Sequence, residues 1–263
     1  VIASSDRTGQ YNNYQPYLNA GENKSGFAYS TPYYLRQQIQ SVRTDVDLVV
    51  VEMHAGSEYS YAPGENYDSY EPPPTGFENL RTNPASEIGF MADPLIGFDE
   101  EDYSPRLDRP KLWDRAIRQF AINEGADAVI VHHPHIIHGV EIYDGKIIAH
   151  SLGNFIFDLD YPETYPSMIL NGEADETGFT GFSITPLYID DYLTVPATGE
   201  LGNYILDYIA MRSRELDTYV HVNKETSRAY VVMDTLFMTV EDLEFSSWVS
   251  NWTEMELQGE TFF

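Results

Sequence analysis

Six of the seven histidines fall between positions 54 and 150. Four of them stand within seven residues, in Val131-His132-His133-Pro134-His135-Ile136-Ile137-His138. A neutral imidazole is a good ligand for zinc, iron, manganese and related ions. In an extended segment His133 and His135 project to the same side, because side chains alternate along a strand. Such an H-x-H pair can grip one ion, or one ion and a phosphate. Pro134 keeps the segment out of helix and removes a competing backbone donor. A histidine-rich loop is otherwise plain polar surface, but this one follows directly on a buried apolar run, which favours ligation. His54 follows another such run and opens His54-Ala55-Gly56-Ser57-Glu58-Tyr59. Glu58 can orient an imidazole or exchange a proton; a solvated loop carboxylate is the plain alternative. In Ser151-Leu152-Gly153-Asn154-Phe155, Gly153-Asn154 can offer a backbone N–H or an amide to an anion, or form an ordinary turn. Ser151 lacks the strand–turn–helix G-x-S-x-G setting of a hydrolase nucleophile.

These groups need elements to hold them. Asp47-Leu48-Val49-Val50-Val51-Glu52-Met53 reads as a buried parallel strand ending at His54, and Ala128-Val129-Ile130-Val131 as a second ending at His132. Open α/β sheets build their sites at the carboxyl ends of strands, where both histidine groups fall. Residues 1–3 suggest a short strand and 4–30 a loop. Thr31-Pro32 reads as a helix N-cap with Pro in the first turn, followed by Leu35, Ile39 and Val42 at helical spacing. A helix is expected over 110–124, capped by Gly125. Asp144-Gly145 between Glu141-Ile142-Tyr143 and Lys146-Ile147-Ile148-Ala149 signals a two-residue hairpin. Residues 155–198 read as irregular with short strands, 200–216 as a helix, and 230–233 and 236–238 as late strands. The Pro-, Tyr- and acid-rich stretch 60–108, with Pro72-Pro73-Pro74, reads as a long surface insertion. The expected division is one domain over 1–240 and a tail or docking segment over 241–263.

The balance of 15 Lys+Arg against 42 Asp+Glu, net −27, repels nucleic acid and anionic lipid. It serves solubility, or a saline habitat in which an acidic surface stays hydrated. With no cysteine, thiolate metal sites, disulfides and a Cys nucleophile are excluded. No run of 18 uncharged apolar residues occurs, so no membrane span is expected. Val1-Ile2-Ala3-Ser4-Ser5-Asp6 lacks the features of a signal peptide, and the chain is expected to be processed or partial. The abundant Tyr, with the sequons Asn23-Lys24-Ser25 and Asn251-Trp252-Thr253, is compatible with export.

Taken together, the motifs resemble the bacterial capsule and poly-γ-glutamate biosynthesis (CapA) family. Residues 47–59 resemble its strand ending in His-Trp-Gly-x-Glu-Tyr. Gly125-Ala126-Asp127-Ala128-Val129-Ile130-Val131-His132-His133-Pro134-His135 resembles its Gly-Ala-Asp-x-Val-x-Gly-His-His-Pro-His, and Ser151-Leu152-Gly153-Asn154-Phe155 its Ser-Leu-Gly-Asn-Phe. The resemblance covers about 45–59 and 112–158. It implies a calcineurin-like metallophosphoesterase, an α/β/β/α sandwich with a two-metal site. By carry-over, His54, His133 and His135 are metal ligands for divalent Mn, Fe or Zn, and His132 lines the site with Glu58 as a catalytic group. Asn154 supports the site on the substrate side. Ala55 replaces the family's Trp, Val131 its Gly, and His138 its Gln. The Gly-Asp and Asn-Asn-His motifs expected upstream of residue 1 are missing, so the chain presents half a site, to be completed by an upstream segment or a second chain.

Two functions follow. One is a metal-dependent phosphoesterase acting on a phosphoester or an anionic polymer at the cell surface or outside it. The other is a catalytically incomplete, self-associating assembly subunit on the same fold. A metal-binding module without turnover is a third.

Overall fold

The computed structural model describes residues 1–6, 18, 20–21, 23–56, 112–158 and 164–233. The proposed insertion at 60–108, Glu58, the strand expected at 236–238 and the tail at 241–263 lie outside these residues. The protein is mixed α/β. It divides into two compact units, Val1–Pro134 and His135–Phe263.

The first unit is built on three parallel strands. β1 (Ile2–Ser5) pairs with β2 (Val50–His54), which pairs with β3 (Ala128–His132). Val51, Met53, Val129 and Val131 are buried to within 1%, as the β-branched runs require of a strand covered on its faces. Between β1 and β2 runs helix α1 (Pro32–Val42). Thr31 caps it, its hydroxyl accepting the Tyr34 N–H at 3.3 Å, and Leu35 and Ile39 turn fully inward. Helix α2 (Leu112–Asn123) leads into β3. It closes at Gly125, where the Ala126 N–H bonds the Ala121 carbonyl at 3.0 Å, a C-cap that needs the left-handed φ of 111° found there. Arg43 at the end of α1 meets Asp127 at 2.7 Å, and the same carboxylate takes the Val49 N–H at 2.7 Å. That carboxylate thus fixes the entry to β2 against the entry to β3.

The second unit opens with the hairpin β4 (Val140–Tyr143) and β5 (Lys146–Ala149). Its turn residues Asp144 and Gly145 both have positive φ, 51° and 70°, as the expected two-residue turn demands. The region 155–198, read as irregular with short strands, is strand for most of its length. It holds β6 (Pro166–Asp175), the thirteen-residue β7 (Gly178–Asp190) and β8 (Leu193–Pro196). Pro166 and Gly172 on β6, and Gly181 and Pro186 on β7, obscure the strand signal. Pro166 sits at the first position of its strand, where a missing N–H is tolerated. These strands join β9 (Val220–Asn223) and β10 (Arg228–Val231) in an antiparallel sheet of order β6-β7-β10-β9, with β8 on β7. Helix α3 (Gly199–Arg214) packs on it through Ile205, Leu206 and Ile209, all fully buried. Burying each such side chain stabilises by about 1.5–3 kcal/mol.

Candidate functional site

In the first unit the strand register does the positioning. Ser5, His54 and His132 are paired residues at the carboxyl ends of β1, β2 and β3. Paired positions share a face of the sheet, so His54 and His132 lie side by side. Strand alternation alone would send His133 to the opposite face. The chain turns there instead: His133 has φ 111° and His135 φ 66°. Contrary to expectation, His133 and His135 are therefore not successive same-side residues of an extended segment, because β3 ends at His132 and both sit in left-handed backbone. Left-handed turns bring His133 back, and its ring centroid is 4.6 Å from that of His54 at 58°. Non-glycine residues in that region cost about 1–3 kcal/mol each and persist where surroundings over-determine them, commonly at functional sites.

His54 is exposed at the strand end, while His132 and His133 are half-buried. Burial lowers the His132 pKa below the ordinary histidine value, and the nearby Glu52 carboxylate opposes the shift by raising it. The net direction favours the neutral ring, which can accept a proton or a metal.

The turn after His54 is held at every backbone group on which His54 depends. The His54 carbonyl accepts the Ser5 hydroxyl at 3.1 Å and faces the Asp6 N–H at 3.4 Å. The Ala55 N–H bonds the His132 carbonyl at 3.0 Å, and the Gly56 N–H bonds a carboxylate oxygen of Asp6 at 3.0 Å. Gly56 has φ 104°, and a Cβ there would lie 3.1 Å from the Arg118 guanidinium and 3.7 Å from Pro134. Arg118 is 1% exposed and Asp114 4%. Sequence reasoning missed Ser5, Asp6, Asp114 and Arg118. The available signal was a short polar strand end, Ser4-Ser5-Asp6, beside the predicted His54 strand.

In the second unit His135 is half-buried, and its Nδ1 is 2.8 Å from Oδ1 of Asn154. An amide oxygen only accepts, so it faces an N–H at Nδ1, and in the neutral ring of that tautomer Nε2 is the nitrogen with the lone pair. Asn154 is itself 7% exposed, and its loop is pinned. The Ser167 hydroxyl lies within hydrogen-bonding reach of the carbonyls of Asn154 and of Leu152, the latter at 3.0 Å, and shares its one proton between them. The Met168 N–H also bonds Leu152 at 3.1 Å, and the His138 N–H bonds Ser151 at 3.1 Å. Gly153 has φ 77°, and a Cβ there would come within 2.9 Å of Ile137 and 3.0 Å of the Pro166 carbonyl. The Phe157 ring stands 4.9 Å from that of His135. Asn154 is thus placed against an imidazole, a role that residue type and spacing alone left open.

Two members of the histidine cluster are core residues. His138 is 2% exposed and His150 0%; His150 Nε2 meets Glu141 at 2.9 Å, and the pair is buried in the second unit.

A metal fits parts of this arrangement. The His54 and His133 rings, with centroids 4.6 Å apart, are close enough for each to offer a nitrogen to one ion. His135, with Nδ1 held 2.8 Å from Asn154 Oδ1, is placed as a ligand whose other nitrogen is anchored. Among the described residues no group of three or more His, Asp or Glu side chains gathers closely enough to hold an ion, and no helix is long and apolar enough to cross a membrane.

Residues 104–159 match the family described as bacterial capsule synthesis protein PGA_cap. The chain is 34% identical over 97 residues to the PGA biosynthesis protein CapA of Bacillus subtilis, covering 37% of this chain and 24% of that protein. It is 30% identical over 93 residues to the capsule biosynthesis protein CapA of Bacillus anthracis, covering 35% and 23%. An uncharacterized protein of Sinorhizobium fredii is 32% identical over 108 residues, covering 34% and 23%. The matched stretch spans about a quarter of the length of these relatives.

Proposed function

From a chain that carries a CapA-family segment, we propose a role at the cell envelope in making capsule or a related anionic polymer, through a metal-dependent phosphoesterase-like site. The fold of the reading is the metallophosphoesterase sandwich. Its metal ligands are His54, His133 and His135, with the remaining ligands supplied from outside the described residues. The observation that carries it is the bond of His135 to Asn154 at 2.8 Å. It leaves Nε2 as the ligating nitrogen, the arrangement of a metal-bound histidine with its outer partner in place. The left-handed backbone at both His133 and His135 supports the same reading.

A bound divalent ion would polarise a phosphoryl oxygen and lower the pKa of a bound water. The chain's own contribution is positional. His54 and His133 offer two nitrogens, and Asn154 orients His135. His132, held toward its neutral form by burial, can take a proton beside the paired strand end. Glu58 is the proposed acid–base partner, four residues beyond His54.

The test is metal content and phosphodiesterase activity of the purified chain after incubation with Mn²⁺, Fe²⁺ and Zn²⁺, beside a His133→Ala/His135→Ala variant. Bound metal lost in the variant, with metal-dependent cleavage of bis-(p-nitrophenyl) phosphate, is expected. A wild-type chain that holds none of these ions overturns the site. Metal binding without turnover favours the second reading, a catalytically incomplete assembly subunit.

A further inference from the structure

We propose that Asp6 is a positioning residue for His54, a role that rests on the reading of His54 as a metal ligand. Just past the end of β1, Asp6 could have faced solvent as an ordinary loop carboxylate. Instead Asp6 makes two contacts to the turn that follows β2. Its N–H faces the His54 carbonyl at 3.4 Å, and its carboxylate accepts the Gly56 N–H at 3.0 Å. One residue therefore brackets the three-residue turn His54-Ala55-Gly56 from both ends. Ser5 adds its hydroxyl to the same His54 carbonyl at 3.1 Å, and β3 takes the remaining Ala55 N–H at 3.0 Å.

The opposite side of the turn is closed by packing. Gly56 has φ 104°, and the space a side chain would need there is held by the buried Arg118 guanidinium, the Asp114 carboxylate and Pro134. Pro134 directly follows His133, the ring partner of His54. The seat of Gly56 thus touches both the turn that carries His54 and the loop that carries His133. A carboxylate accepting a backbone N–H makes a charge-assisted bond, stronger than a neutral one. It also fixes a glycine whose backbone would otherwise sample many conformations. Removing it frees the Gly56 end of the turn and loosens the imidazole two residues earlier.

The experiment compares wild type, Asp6→Ala and Asp6→Asn in the whole chain. Three readouts are used: amide hydrogen exchange at Gly56, carbethoxylation rate of His54 by diethyl pyrocarbonate, and Zn²⁺ affinity by calorimetry. Exchange in β3 serves as the folding control. In Asp6→Ala, Gly56 exchange and His54 modification are expected to rise about tenfold, the equivalent of one lost hydrogen bond. Zn²⁺ affinity is expected to fall about 10- to 100-fold, as for loss of an outer partner of a ligand. Asp6→Asn keeps an accepting oxygen and is expected to recover most of all three. Unchanged Gly56 exchange in Asp6→Ala overturns the clamp. Lost protection with unaltered His54 reactivity and Zn²⁺ affinity reduces Asp6 to local structure and overturns its positioning role. Failure of Asp6→Asn to rescue, with Gly56 protection restored, assigns the carboxylate to direct ligation instead. A wild type that binds no Zn²⁺ removes the metal reading alone, since exchange and His54 modification still decide the clamp.

Discussion

Replacing Asn154 by alanine removes one amide and little else. The Asn154 carbonyl stays on Ser167, and Leu152 stays on Ser167 and Met168, so the loop backbone keeps its anchors. What is lost is the acceptor 2.8 Å from His135 Nδ1, at a residue only 7% exposed. The bond itself contributes about 1 kcal/mol net, and an imidazole N–H left without an acceptor in a half-buried site costs about 1–3 kcal/mol. The freed ring can also exchange tautomers, so Nε2 is no longer reserved for a ligand. Outer partners of metal-bound histidines typically contribute 10- to 100-fold in affinity, about 1.4–2.8 kcal/mol at 1.4 kcal/mol per decade. Asn154→Ala is thus expected to weaken Zn²⁺ binding by that factor and to lower unfolding free energy by about 1–3 kcal/mol. Asn154→Asp, with a stronger acceptor, is expected to hold both. Calorimetry, urea denaturation and nitrogen-15 NMR of the imidazoles measure the three consequences. An alanine variant that keeps the Nδ1–H tautomer of His135 and binds Zn²⁺ within twofold of wild type would refute the reasoning.

Other outcomes are as definite. Gly153→Ala should destabilise by about 2–4 kcal/mol in urea denaturation, because it combines a left-handed φ with contacts of 2.9 and 3.0 Å. Glu141→Ala, which removes the buried carboxylate 2.9 Å from His150 Nε2, should cost about 1–3 kcal/mol in the same assay; a variant as stable as wild type would show the pair to be dispensable. Burial raises the Asp207 pKa, with Lys224 opposing through its hydrogen bond and charge. The folded state therefore holds the proton more tightly than the unfolded state. The stabilisation this gives is full below the ordinary carboxylate range and is lost as pH rises through the raised value. The stability of wild type relative to Asp207→Asn should accordingly fall as pH rises above the ordinary carboxylate range, and a flat difference would contradict the assignment. Tyr204, pushed up to about 12 by burial, should stay un-ionised in ultraviolet titration at pH 10.5, where exposed tyrosines ionise.

The sequence by itself determined whatever depends on local periodicity and on residue type. Two β-branched runs ending in histidine had to be buried strands with their imidazoles at the strand ends, and β2 and β3 are such strands. Thr31-Pro32, Gly125 and Asp144-Gly145 carry their own backbone preferences, so a helix start, a helix end and a hairpin turn were legible without tertiary context. The full length of strands β6 and β7 was not, because proline and glycine interrupt their alternation, and the pairing of β6 with β7 and of β7 with β10 overrides that weak local preference. Histidine content likewise could not sort ligands from core. His138, His150 and His133 are chemically alike, and only packing buries the first two while turning the third toward His54. The left-handed backbone at His133 and His135 has no signature in residue type, since neither is glycine; surrounding contacts impose it. The partnership of Asp6 with Gly56 joins residues fifty positions apart. Only parallel pairing of β1 with β2 brings that carboxylate to the turn, and register across strands is a property of the folded sheet rather than of either segment.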